Sequence, residues 1–277
     1  MLGPDHPDTL ISMNNLAESL LSHGDLPGAR ELQEEALAVQ RRVLGPEHPD
    51  TLTSMSSFAQ ILLDEGALAR ARKLYEETLT VQRRVLGSEH PDTLTSMNNL
   101  AETLREQGDL VGARKLHEEE LTICRRVLGS EHPDTLMSME GLAYTLWSQG
   151  EFSDARKLGE QTLAARRRVL GDDHPSTLTS ANDLAATLRS LGDLERAREL
   201  FQETLAIRRR VLGPEHPDTS TSAWNLFMAL RDSGEREAAH TLLECDLLWL
   251  IERDPDTLGT DQRNIREYVA EVVKKSG

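Results

Sequence analysis

The sequence predicts an all-α fold: a solenoid of six helix-turn-helix repeats closed by a C-terminal capping helix. Three observations predict it. The string His-Pro-Asp-Thr begins at His6, His48, His90, His132 and His216, and His-Pro-Ser-Thr begins at His174, each start 42 residues after the last. Within each period, apolar residues recur at three- and four-residue spacing in two separate runs, the signature of two amphipathic helices. Only 4% of the 277 residues are aromatic and 28% are charged, a balance that suits many solvated helix faces around a thin core. The repeats fill residues 1–254, and the cap fills residues 255–277.

The third copy shows why each element forms. Helix A is predicted from about Pro91 to Gln107. Proline suits the first helical position, where its missing N–H costs nothing, and Asp92 meets the positive end of the helix dipole. Leu94, Met97, Leu100, Ala101 and Leu104 make one apolar stripe, and Gly108 stops the helix. Helix B follows from about Leu110 to Leu128, with Ala113, Leu116, Leu121, Ile123 and Val127 as its apolar positions. Gly129 ends it. Neither helix buries its stripe alone, so pairs stack on pairs. A worn seventh start, Asp254-Pro255-Asp256-Thr257, leads into a terminal helix expected from about Asp256 to Lys275. There Ile265, Val269 and Val272 face the last pair, while Lys274 and Lys275 face water. Thirteen helices are expected in all.

Composition narrows the function. A net charge of −16 repels phosphate, which argues against nucleic acid and anionic membranes as general partners. No run of about 18 apolar residues offers a membrane span. Met1-Leu2-Gly3-Pro4-Asp5-His6 lacks the basic and apolar regions of a signal peptide. Cys124 and Cys245 form no CxxC pair and read as small helix residues. The expected setting is the reducing cytoplasm.

No nucleophile motif, phosphate loop or His-Glu-x-x-His is present, so the sequence points to binding and not to an enzyme. No cofactor is implied. The six periodic histidines are not a metal site, because equivalent positions one helix pair apart cannot share an ion at bonds of about 2 Å. Each is expected to cap the helix that follows it. The arginine pairs Arg41-Arg42, Arg83-Arg84 and Arg125-Arg126, and the triplets Arg166 to Arg168 and Arg208 to Arg210, recur at one repeat position. They read either as complements of a helix C-terminus or as a basic outer stripe.

The pattern Leu100, Ala101, Leu104, Gly108, Ala113, repeated as Leu16, Ala17, Leu20, Gly24, Ala29, resembles the tetratricopeptide repeat. The long period, the Asn-Asn-Leu-Ala segment and the Leu-Gly-x-x-His-Pro-Asp linker resemble its kinesin-light-chain type. The resemblance covers residues 2–254 and implies a right-handed superhelix whose concave groove binds protein or peptide. The sequence departs from the family pattern at two places on helix B. Its aromatic survives only as Tyr75 and Phe201, with Gln33, His117, Gly159 and Leu243 elsewhere. Its small residue becomes Glu120 in the third copy.

Carried over copy by copy, the groove positions are Asn14, Asn15 and Glu18; Ser56, Ser57 and Gln60; Asn98, Asn99, Glu102, Arg105 and Glu106; Glu140, Tyr144 and Trp147; Asn182, Asp183 and Arg189; and Trp224, Asn225, Met228 and Arg231. Asparagine is a weak helix former, so its recurrence needs a cause. Either the amide serves an extended peptide, or it bonds a neighbouring repeat. Tyr144, Trp147, Trp224 and Met228 are either anchors of a binding surface or extra core. Glu18, Asp64, Glu102, Glu106 and Glu140 face one cation, Arg105, in the first half, whereas the second half adds Arg189 and Arg231. A ligand with a basic stretch and an apolar or acidic anchor is expected.

The leading function is therefore a protein-interaction scaffold. The alternative is a sensor or oligomerisation module of a larger, NTPase-linked signalling protein. Met1-Leu2-Gly3 aligns with Val43-Leu44-Gly45, which closes a helix B. A longer natural protein is thus expected, with Ile11 and Leu21 uncapped and self-association or fraying at that end.

Overall fold

A recurrent local switch from extended to helical backbone begins every A helix. At His90 the backbone is extended, Pro91 supplies the first helical residue, and the N–H of Asp92 donates to His90 Nδ1 at 3.2 Å. His6, His48, His132, His174 and His216 accept from the N–H two residues on in the same way. The histidines are helix caps with Nδ1 as the acceptor. Asp254 repeats the geometry at the worn seventh start, its Oδ1 accepting from the N–H of Asp256 at 3.1 Å. A short acceptor is thus what the position needs. Replacing His90 by Ala should cost about 0.5–1 kcal/mol, whereas His90→Asp should be nearly neutral. Paired thermal melts check this, and equal losses would disprove the capping role.

The computed structural model describes Gly3 and residues 5–276, with side chains as far as Lys274. Met1, Leu2 and the Lys275 side chain, on which two sequence expectations rest, lie outside the described residues. The helices are α1 (Pro7–Ser22), α2 (Leu26–Val43), α3 (Pro49–Asp64), α4 (Leu68–Val85), α5 (Pro91–Glu106), α6 (Leu110–Val127), α7 (Pro133–Ser148), α8 (Phe152–Leu170), α9 (Pro175–Ser190), α10 (Leu194–Leu212), α11 (Pro217–Asp232), α12 (Arg236–Asp246), α13 (Trp249–Glu252) and α14 (Thr260–Ser276). No strand occurs among the described residues. Odd-numbered helices through α11 are the A helices, and even-numbered helices through α12 are the B helices. A glycine with positive φ follows each helix from α1 to α11, as at Gly66 (76°) after α3 and Gly87 (93°) after α4, where other residues are strained.

Two places differ from the expected thirteen helices. The sixth B helix stops at Asp246 and resumes as α13. The break lets Leu247 and Leu250 both be fully buried, and the indole N–H of Trp249 donates to the freed Asp246 carbonyl at 2.9 Å. Farther on, Pro255–Thr257 is a 3₁₀ turn and α14 starts only at Thr260, because Leu258 is extended and buried.

The chain divides into two compact units, Met1–Thr145 and Leu146–Gly277. In the first, each helix packs on the next in sequence from α1 to α5 and on to α6. Its interior holds Leu37, Leu52, Met55 and Phe58, then Tyr75, Leu79, Met97 and Leu100. In the second, α8 to α12 pack in the same serial manner, and α14 packs on α11 and α13. Leu163, Leu184, Phe201, Leu226, Ile265 and Val269 share one core there, with Val272 partly buried against it, and Lys274 is exposed. Each fully buried leucine stabilises by about 1.5–3 kcal/mol, so serial stacking alone accounts for most of the order.

The arginines near the ends of the B helices do more than complement a dipole. In the first unit Arg41 and Arg83 reach forward to Glu77 (3.0 Å) and Glu119 (2.9 Å) of the next B helix. Arg42, Arg84 and Arg126 reach back to Asp5, Glu47 and Glu89 of the preceding linker. In the second, Arg167 pairs with Glu203 and Arg210 with Asp173. These pairs are largely exposed and each contributes about 0–1 kcal/mol, so they set register more than stability. The basic stripe considered from sequence is thereby largely neutralised.

Candidate interaction faces of the A helices

In the first unit the polar positions of successive A helices divide into two kinds. Asn14 is engaged internally. Its Nδ2 donates to Ser54 Oγ at 2.9 Å, and its Oδ1 accepts from Gln33 Nε2, which also donates to the Ser54 carbonyl. Asn15 and Glu18 are exposed, and with Ile11, Ser57 and Gln60 they line a cleft of about 410 Å³ along α1 and α3. Ser56, Asn98 and Asn99 are half-buried. Arg105 is held twice. It donates to Glu102 Oε2 at 2.6 and 3.0 Å, and its guanidinium lies 4.4 Å from the centroid of the Tyr144 ring. Tyr144 is 44% exposed. Glu106 and Asp64 are also exposed, Asp64 accepting from Gln60 at 2.9 Å, and Glu140 is half-buried. With Arg105 matched by Glu102, this face is acidic.

Beneath it lies a buried polar cluster that motif reading did not single out as a site. His117, fully buried, has Nδ1 at 3.0 Å from Thr145 Oγ1, while Nε2 stands 3.6 Å from Glu102 Oε1 without a hydrogen bond. Burial holds its pKa below the ordinary value, Glu102 opposes that shift, and Arg105 adds to it. Glu120, also buried, accepts from Ser138 Oγ at 2.6 Å, and its Oε2 has no partner. Burial pushes its pKa up to about 7; the Ser138 bond opposes this, while Glu102 and Asp134 add to it. Cys124 is buried beside Ser138. The repeat register carried the signal: His117 stands where other copies hold Tyr75 and Phe201, and Glu120 where they hold Thr78, Thr162 and Thr204.

In the second unit the aromatics are partly committed to packing. The Trp147 indole N–H donates to Ser190 Oγ at 3.0 Å, and its ring tilts against Phe152 at 6.3 Å. Trp224 stacks on Phe227 (5.3 Å) and on Tyr268 of α14 (5.7 Å). Met228 is partly buried against the same core. Asn225 Nδ2 donates to Asn182 Oδ1 at 3.0 Å, joining neighbouring A helices as Asn14 does. Asp183 is half-buried, and Arg189 pairs with Asp232 at 2.5 Å. Arg231 is exposed, with its guanidinium 5.7 Å from the Phe227 centroid. Tyr268, 58% exposed, is the aromatic that the repeat pattern could not reveal, since α14 lies outside the period.

What this arrangement can do is recognise, and its relatives share the architecture. Models of the tetratricopeptide repeat match residues 57–121 and 98–168, and a second set matches 9–50 and 177–218. No curated protein matches the sequence significantly. Among solved structures, a Podosopora anserina protein with nearly identical kinesin light chain TPR-like repeats is 33% identical, with a TM-score of 0.65 over 74% of this chain and 97% of that one. A further structure of the same Podosopora anserina repeats gives 31% and 0.67, covering 76% and 99%. BtubC (BKLC) of P. vanneervenii, at 21% identity, shares the fold with a TM-score of 0.68 over 79% of this chain and 88% of its own. With the repeat models spanning most of the chain and the 42-residue register running through its helix pairs, the protein belongs to the tetratricopeptide repeat family, in the kinesin-light-chain-like form.

Proposed function

We propose that the protein is a non-enzymatic scaffold whose A-helix faces bind a peptide or a partner helix. The carrying observation is the first unit's face. Glu18, Asp64 and Glu106 are exposed, the local cation is matched within the protein, and Tyr144, in contact with that cation, is 44% exposed. Such a face favours a segment rich in lysine or arginine, with an apolar side chain against the tyrosine. Asn15, Asn98 and Asn99 are the amides available to its backbone, since Asn14, Asn182 and Asn225 are engaged between repeats. In the second unit Trp147, Trp224, Met228 and Arg231 supply a more apolar surface for a separate stretch. Residues 1–254 form the binding array in this reading, and residues 255–277 its cap, which the burial of Ile265 and Val269 supports. The free thiols Cys124 and Cys245 suit a cytoplasmic setting.

A tiled peptide array tests the reading. The full chain should select peptides with clustered Lys or Arg, and signal should fall about fivefold or more between 50 and 300 mM salt. Glu18→Lys combined with Glu106→Lys should abolish that selection without unfolding the chain, because both side chains are exposed. A selected set with no charge bias, or one unchanged by the double substitution, would overturn it.

A further inference from the structure

The outer face of α1 is a surface distinct from the polar faces described above. Each later A helix buries one face against the B helix before it. The direct contacts are visible: Arg166 donates to Ser180 Oγ, Arg208 to Ser222 Oγ, and a β-carbon on Gly159 would lie 3.3 Å from Leu184 Cδ1. The central apolar residue of that face is Phe58, Leu100, Leu142, Leu184 or Leu226, all 4–8% exposed. In α1 the equivalent residue is Leu16, and it is 53% exposed. Ser12 and Ser19, equivalent to the buried Ser54 and Ile61, are exposed too, and Met13 and Leu20 are only half-buried where Met55 and Leu62 are buried.

The face has kept the composition of a seat. Helix α1 differs from α5 at only four of 16 positions: Ile11 for Thr95, Ser19 for Thr103, Leu21 for Arg105 and Ser22 for Glu106. Of these only Ser19 lies on the face in question. The seat of α5 is filled by α4, through the cluster of Tyr75 and Leu79 with Met97, Leu100 and Leu104. The molecule therefore contains its own template for what belongs on α1.

We infer that the Ser12-Met13-Leu16-Ser19-Leu20 face of α1 is a docking site for an amphipathic helix of the B type. Such a helix carries a small residue, an aromatic four residues on, leucine four residues after that and a side-chain donor three further on, as Ala71, Tyr75, Leu79 and Gln82 do in α4. The small residue permits close approach, the aromatic and leucine cover Leu16, and the donor meets Ser12 as Arg166 meets Ser180. Both ends of the pairing are thus specified, which a merely apolar patch would not do.

A labelled peptide with the sequence of residues 68–85, titrated into the full chain and followed by fluorescence anisotropy, tests this. Saturable binding is expected. It should weaken about tenfold or more with Leu16→Glu in the protein or Leu79→Glu in the peptide. Circular dichroism should show Leu16→Glu still folded, since the side chain stands largely in water. A second measurement covers weak binding in trans: the same segment fused ahead of the chain, keeping the 42-residue register, should raise hydrogen-exchange protection in α1. Absence of both effects would overturn the assignment. So would a dimer in sedimentation that Leu16→Glu converts to monomer, because the face would then belong to a second copy.

Discussion

The Glu120→Thr variant should melt higher than the parent at pH 8 and no higher at pH 5. The carboxyl of Glu120 is buried with one oxygen unpartnered, and its pKa is raised from 4.5 to about 7. A carboxyl whose folded pKa is raised contributes stability that is complete below pH 4.5 and is lost as pH rises through about 7. The shift corresponds to about 3 kcal/mol between those limits. Threonine is the replacement the molecule itself suggests. At the equivalent position of α4, α8 and α10 a threonine hydroxyl donates to the carbonyl four residues back, at 2.8–2.9 Å. The smaller side chain and the lost Ser138 bond cost about 1 kcal/mol at every pH. At pH 8 removal of the buried charge wins by about 2 kcal/mol, and at pH 5 the packing loss wins. His117 pulls the other way. Its folded pKa lies below 6.5, so its contribution is present above pH 6.5 and is lost as pH falls. The variant should keep that acid limb and lose only the alkaline one. An unchanged melting difference between pH 5 and pH 8 would show that Glu120 is not the group responsible.

The fold was legible because its determinants are local and repeated. His-Pro, the glycine stops and the 42-residue apolar register each act within one helix pair, and every copy confirms the others. The break after Asp246 was not legible, since it depends on where Leu247 and Leu250 find a core supplied by α14. The interaction faces were half legible. The position of a side chain on helix A follows from the register, but its availability does not. Asn14 and Asn98 occupy equivalent places, yet Asn14 is bonded to Gln33, which the other copies replace, and to Ser54, whereas Ser138, the matching serine for Asn98, donates to Glu120 instead. The arginines were ambiguous for the same reason: their partners lie 36 or 37 residues away, one repeat along, where single-helix reasoning does not reach.

Gly141→Ala should destabilise the protein, although helix propensity alone says the opposite. Gly141 lies in the interior of α7, where the equivalent residues are Asn15, Ser57, Asn99, Asp183 and Asn225. A glycine there costs about 1 kcal/mol relative to alanine, so a repeat-consensus argument would remove it. The structure shows what the glycine accommodates. A β-carbon at 141 would stand 2.9 Å from His117 Nε2 and 3.2 Å from its Cδ2. The imidazole has little room to yield: it is fully buried, and Nδ1 is tied to Thr145. Overpacking of this kind costs about 1–3 kcal/mol, and set against the propensity gain of about 1 kcal/mol it leaves an expected net loss of up to about 2 kcal/mol. The sign should reverse when the obstacle is removed. In a His117→Ala background, itself destabilised by its cavity, Gly141→Ala should be neutral or stabilising by up to about 1 kcal/mol. A double-mutant cycle by chemical denaturation reads this coupling directly. Additive effects would mean that His117 and Gly141 do not constrain each other, and the large residue in α6 would then need another explanation for its glycine partner in α7.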